Sequence, residues 1–135
     1  MLKFSELKVG DYVIADNDGD QKQGEITSLN GDETQVCIDT GDQEFWYETN
    51  QVIGIPLNHD ELMKLKFHSA QNDDGTVKYS KGAFRMMIQR PGDFSRLEIW
   101  YRDEHRHITH PIDLHVFQNH FHDMTKVHLN DESFD

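Results

Sequence analysis

The sequence predicts an α+β protein in which a small N-terminal β-barrel is followed by an antiparallel sheet flanked by two helices. Three observations predict it. The first half is a series of short alternating apolar runs separated by Gly-Asp, Asp-Gly and Asn-Gly pairs. The second half begins and ends on helical periodicity with strand-like runs between. The extended stretch Gln51–Leu57 separates the two patterns, because Pro56 forces Ile55 away from helical geometry. The expected domains are therefore a barrel-like unit over 1–54, an α+β unit over 55–130 and a tail over 131–135.

In the first half, Lys8–Ala15 reads as a strand entered through a Gly-Asp turn, and Asp16-Asn-Asp-Gly-Asp20 as the tip of a hairpin. Gly24–Leu29, Thr34–Asp39, Glu44–Tyr47 and Val52–Ile55 follow, separated by Asn30-Gly31 and Gly41-Asp42. Five strands at this spacing suggest a strongly curved barrel. The run of Val9-Gly-Asp-Tyr-Val13, Gly24, Ile26, Leu29 and the later aromatic strand resembles the small barrels of the Tudor and KOW type. That resemblance implies recognition rather than catalysis. Asp16, Asp18 and Asp20 also invite a calcium reading. The spacing fails: a calcium loop begun at Asp16 would need glycine at position 6 and glutamate at 12, where Gln21 and Thr27 stand.

The second half opens with Asn58–Phe67, where Asn58 can cap a short helix, Asp60 and Glu61 suit its positive end, and Leu62, Leu65 and Phe67 form the buried stripe. Val77–Tyr79, Ala83–Gln89, Leu97–Tyr101 and His107–Thr109 then read as a meander of three or four antiparallel strands. Pro111 starts a second helix, Ile112 to about Thr125, with Leu114, Phe117, Phe121 and Met124 on one face.

Charge divides the chain in the same place. Residues 1–57 hold 3 lysines against 12 acids, a balance of −9, whereas 58–135 hold 10 cations against 13 acids, −3. The first segment therefore disfavours phosphate backbones and favours a basic protein surface, while the second is nearly balanced. The absence of an 18-residue apolar run or of a secretory h-region at the N-terminus points to a soluble, cytoplasmic protein of a bacterial host. Cys37, the single cysteine, reads as a small strand residue.

Ile55-Pro56-Leu57, Leu62, Lys64 and Phe67, followed by His115, Phe117, Gln118, Asn119, Phe121, Met124, Thr125 and Leu129, resemble a family of small proteins from Bacteroidetes genomes and their prophages. Its C-terminal domain runs from an "IPLTEE.L.K.GF" segment to "HQLQNLYFALTGEEL", and the likeness covers residues 53–129. The chain departs from that pattern at His120 and His122 and in having no glycine after Thr125. The resemblance implies a fold and a mobile-element origin rather than a reaction.

Seven of the nine histidines fall between His105 and His128, and His105-x-His107 in a strand presents both rings on one face. Zinc or nickel at His105 and His107 is therefore an alternative to the expectation of no cofactor. His115, Gln118 and Asn119 share one flank of the second helix, placed to bind sheet backbone or a ligand. Arg85, Arg96 and Trp100 would share a sheet face suited to nucleotide or nucleic acid. Trp46 and Tyr47 are the aromatic candidates for partner contact in the acidic half.

No phosphate loop or nucleophile elbow is present, so the sequence points away from catalysis. The expected function is that of a non-enzymatic accessory or regulatory protein, phage- or mobile-element-related, binding a protein partner through its acidic surface. A nucleotide or nucleic-acid binder is the alternative. A metal-dependent hydrolase using the C-terminal His, Asp and Glu residues is the second.

Overall fold

The computed structural model describes residues 2–129. It is α+β, with two five-stranded antiparallel sheets and two helices, and it divides into two compact units. The first unit runs to Ile55 and takes in Asp113–Asn119; the second takes in Pro56–Ile112 and resumes at His120. The expected tail at 131–135 lies outside the described residues. No helix among the described residues is long and apolar enough to cross a membrane.

In the first unit a single 3-10 turn at Phe4–Glu6 precedes β1 (Tyr12–Asn17), β2 (Asp20–Asn30), β3 (Gln35–Asp39), β4 (Glu44–Glu48) and β5 (Val52–Ile53). Alternation along β1 buries Val13 and Ala15. The β1–β2 hairpin closes on Asp18 and Gly19, both at positive φ (52° and 91°), the geometry of a type I′ turn, and Asp16 Oδ1 accepts from the Gly19 N–H at 2.8 Å. Leu7, Val13, Ala15, Ile26, Val36, Ile38, Tyr47 and Val52 make the core of this unit.

The sheet order is β4-β3-β2-β1-β5, and the sheet is open, not the closed barrel that the strand spacing predicts. The reason lies at its ends. A 3-10 turn at Thr49–Gln51 leads the chain from β4 to the far side of β1, where β5 offers only the pairs Ile14–Ile53 and Ala15–Val52. Two residues are too few to reach β4 as well, so β4 and β5 stay the outer strands, and among the described residues neither pairs with a further strand.

In the second unit Asn58 caps α1 (His59–Lys64) by accepting from the Glu61 N–H at 3.0 Å. The sheet runs in plain meander order through β6 (His68–Gln71), β7 (Val77–Lys81), β8 (Phe84–Ile88), β9 (Leu97–Tyr101) and β10 (Glu104–Ile108). Five strands stand where three or four are expected. The extra one, β6, is exposed at every residue and has no apolar pattern to read. It is set by the turn that follows: Asp74 accepts from the Thr76 N–H and hydroxyl, Asn72 bonds Thr76 in return, and Gly75 takes φ 91°. On the core face of this sheet Tyr79, Phe84, Met86, Ile88, Leu97 and Ile99 are buried, and Phe84 meets Phe121 at 4.7 Å between ring centroids. Phe121 belongs to α2 (Leu114–Thr125), whose stripe Leu114, Phe117, Phe121 and Met124 is buried as its spacing predicts.

Candidate functional site

The candidate site of the first unit is built on β4, the outer strand of its sheet. The five residues Glu44-Phe-Trp-Tyr-Glu48 alternate across the strand, so Glu44, Trp46 and Glu48 share one face while Phe45 and Tyr47 share the other. Tyr47 is buried in the core, so this predicted contact residue is not presented to a partner. Trp46 is, at 49% exposure, and so is Phe45 at 50%. Phe45 escapes sequence reasoning because strict alternation pairs it with Tyr47 on the core side. It stands two pairs closer to the β3–β4 turn, opposite Ile38, and remains half in solvent.

The surroundings are acidic. Between Asp32 and Glu48 the chain holds six carboxylates, Asp32, Glu33, Asp39, Asp42, Glu44 and Glu48, and no Lys or Arg. All six are exposed. Asp42 is met by Lys22 at 3.5 Å, and Glu48 accepts from the Gln35 side-chain amide at 2.9 Å. A hollow of about 370 Å³, lined among others by Tyr12, Glu25, Asp39 and Thr40, opens beside the β3–β4 turn of the same sheet. Two half-exposed aromatic rings, one on each face of this outer strand, lie within such a field and suit a cationic, partly apolar ligand at the strand's edge.

The helix flank His115, Gln118 and Asn119 is occupied by the protein itself. Gln118 is buried; its side-chain oxygen accepts from the Tyr12 N–H at 2.8 Å and its amide donates to the Gly10 carbonyl at 3.0 Å. Asn119 donates to the Glu6 carbonyl at 3.1 Å and also bonds the buried Asp11 carboxyl. His115 is fully buried, and neither ring nitrogen has a hydrogen-bond partner. Burial holds its pKa below the usual histidine value, with the nearby Asp113 and Glu6 charges opposing.

In the second unit the ladder register places Arg85, Trp100 and His105 in one row across β8, β9 and β10. The His105 ring stacks on Trp100 at 5.0 Å and 12°, and the Arg85 guanidinium lies 5.9 Å from the indole centroid. Arg96 does not join the row. Asp93 accepts from both the N–H and the hydroxyl of Ser95, holding a bend that delays the strand until Leu97. His105 and His107 sit opposite Trp100 and Glu98, and His105 Nε2 lies 3.9 Å from Glu98. Among the described residues no three His, Cys, Asp or Glu side chains are grouped to hold a metal ion. Glu104 is engaged by Arg106 at 2.7 Å, and Arg106 also meets His120 Nδ1 at 2.8 Å.

Comparison with known proteins gives no match to any family model, curated protein or solved structure.

Proposed function

We propose that this chain is a non-enzymatic accessory or regulatory protein, phage- or mobile-element-related as its sequence resemblance implies, that binds a protein partner through the acidic surface around the outer strand of its first sheet. The observation that carries this reading is the outer strand β4, which holds Phe45 and Trp46 half exposed among six carboxylates. Large aromatics are costly to leave in water and are enriched in the centres of protein interfaces. The carboxylates around them select a basic partner and speed its approach. The test is capture of partners from a bacterial lysate by the unmodified chain and by a Trp46→Ala, Glu44→Gln, Glu48→Gln variant. Basic proteins released by salt are expected with the first and lost with the second; equal capture by both would remove this surface from the function.

The Arg85–Trp100–His105 row favours a second reading, contact with nucleotide or nucleic acid through the second sheet. The indole is already stacked against His105, so a base would have to displace that ring. On this reading an Arg85→Ala, Trp100→Ala variant loses single-stranded oligonucleotide binding measured by fluorescence anisotropy. Absence of binding by the unmodified chain dismisses it.

A further inference from the structure

Resting on the proposed binding of a basic protein, we infer that the partner docks by strand addition: an extended segment in which cationic and apolar residues alternate pairs with the free edge of β4. The backbone geometry supplies the first step. The Thr40 N–H donates to the Gln43 carbonyl at 3.0 Å, so residues 40 and 43 form a hydrogen-bonded pair of the β3–β4 hairpin. In an antiparallel ladder such pairs alternate with non-bonded ones. Stepping along the register makes Ile38–Phe45 and Val36–Tyr47 hydrogen-bonded, and Asp39–Glu44, Cys37–Trp46 and Gln35–Glu48 non-bonded. The N–H and C=O groups of Glu44, Trp46 and Glu48 therefore point away from β3, toward the open edge. At Glu48 the edge is closed by the chain itself, because its N–H donates to the Gln51 side-chain oxygen at 2.9 Å. What remains open for pairing is the stretch from Glu44 through Trp46.

The side chains then choose the occupant. Residues of an added strand opposite Glu44 and Trp46 fall on one face and meet carboxylate and indole. Arginine suits both, as an ion pair at Glu44 and as a cation–π partner at Trp46. The intervening residues fall on the other face, beside Phe45, where an apolar side chain would be covered. A second copy of this chain is a poor occupant, since edge-to-edge pairing would bring two sets of exposed carboxylates together.

The probe is a capped octapeptide alternating arginine and valine, compared with the same peptide N-methylated at the backbone nitrogens that would donate to β4. Binding to the unmodified chain is measured by calorimetry, and backbone amides are followed by hydrogen-exchange NMR. Strand addition predicts that the parent peptide binds, that it slows exchange of the Trp46 amide, and that N-methylation weakens binding by about tenfold, the loss of one or two hydrogen bonds. Equal binding of both peptides with an unprotected Trp46 amide would leave the acidic binding surface standing and overturn strand addition. No binding of either peptide would count against both. A dimer in the ultracentrifuge with the Trp46 amide protected before peptide is added would assign the edge to a second copy and overturn the proposal.

Discussion

Replacing Gln118 with alanine is expected to destabilise the protein by about 2–4 kcal/mol, one of the two largest effects of any polar substitution argued for this chain. The side chain acts as a substitute strand. At the start of β1, Gly10 and Tyr12 have a carbonyl and an N–H turned to the helix, and the single amide of Gln118 donates to one and accepts from the other at 3.0 and 2.8 Å. Alanine removes both hydrogen bonds at once in a site where Gln118 is only 5% exposed. A buried polar group that loses its hydrogen bond costs about 1–3 kcal/mol, well above the net value of a hydrogen bond exchanged with water. Thermal unfolding should show the loss as a fall of roughly 10 °C. Gln118→Glu separates this account from simple loss of packing. It keeps the acceptor for Tyr12 but sets a carboxylate against the Gly10 carbonyl, so it should be as damaging as alanine at neutral pH and milder in acid, where a protonated carboxyl donates again. Equal damage at both pH values would show that packing, not the amide, is what matters.

That Gln118 lay on a useful flank of the second helix was legible in the sequence, because helical spacing groups it with His115 and Asn119. Which of the three would bond the backbone was not. All three carry donors and acceptors, and only the path of the chain decides that the amides meet Gly10, Tyr12 and Glu6 while the imidazole meets no hydrogen-bond partner. The same division runs through the fold. Leu114, Phe117, Phe121 and Met124 were readable because burial on one helix face imposes a period that sequence records. Strand β6 was not, since His68–Gln71 is held by backbone pairing and a turn, neither of which needs apolar residues. Barrel closure is not legible for a related reason: it depends on pairing between the first and last strands of a sheet, a long-range property that local alternation does not encode. Trp46 and Tyr47 were legible only as a pair of aromatic candidates, and burial separates them, Tyr47 in the core and Trp46 half exposed. Phe45 was in phase with Tyr47, and its exposure follows from where the core stops along β4, which alternation does not fix.

Two buried groups should tilt stability in opposite directions over one mildly acidic range of pH, Asp11 giving an arm that falls toward alkali and His115 an arm that falls toward acid. Burial pushes the Asp11 carboxyl from its ordinary 3.8 up to about 7, although the Lys8 N–H, the Asn119 amide and the Lys8 charge all oppose it. The native chain then holds this proton until about pH 7, whereas the unfolded chain releases it near 3.8. Stability is therefore greatest, as far as Asp11 is concerned, below the unfolded value, and drains away as pH rises toward 7, with a ceiling of about 4 kcal/mol. His115 has the opposite sign. Burial lowers its pKa, so the unfolded chain takes up a proton near pH 6.5 that the native chain refuses, and stability falls as pH drops below that value. His120, lowered by burial and then by the Arg106 charge, adds to the same acid slope. Urea midpoints of the unmodified chain measured between about pH 4 and pH 8 should thus show the two arms partly cancelling below about pH 6.5, and single variants should separate them. Asp11→Asn keeps an oxygen for the Lys8 N–H and removes the charge, so it should flatten the alkaline arm and raise stability at pH 7 and above. His115→Leu removes the two unpartnered ring nitrogens and should flatten part of the acid arm, leaving the share of His120. An Asp11→Asn protein whose stability still declines from about pH 4 to pH 7 would show that the buried carboxyl is not the source of that slope. Asp11 is 3% exposed and tied through Asn119 to the same helix flank as Gln118, so the alkaline arm and the Gln118 effect report on one junction. The double variant Asp11→Asn, Gln118→Ala should then lose less than the sum of its parts, because a helix flank already loosened at residue 118 no longer keeps water from residue 11.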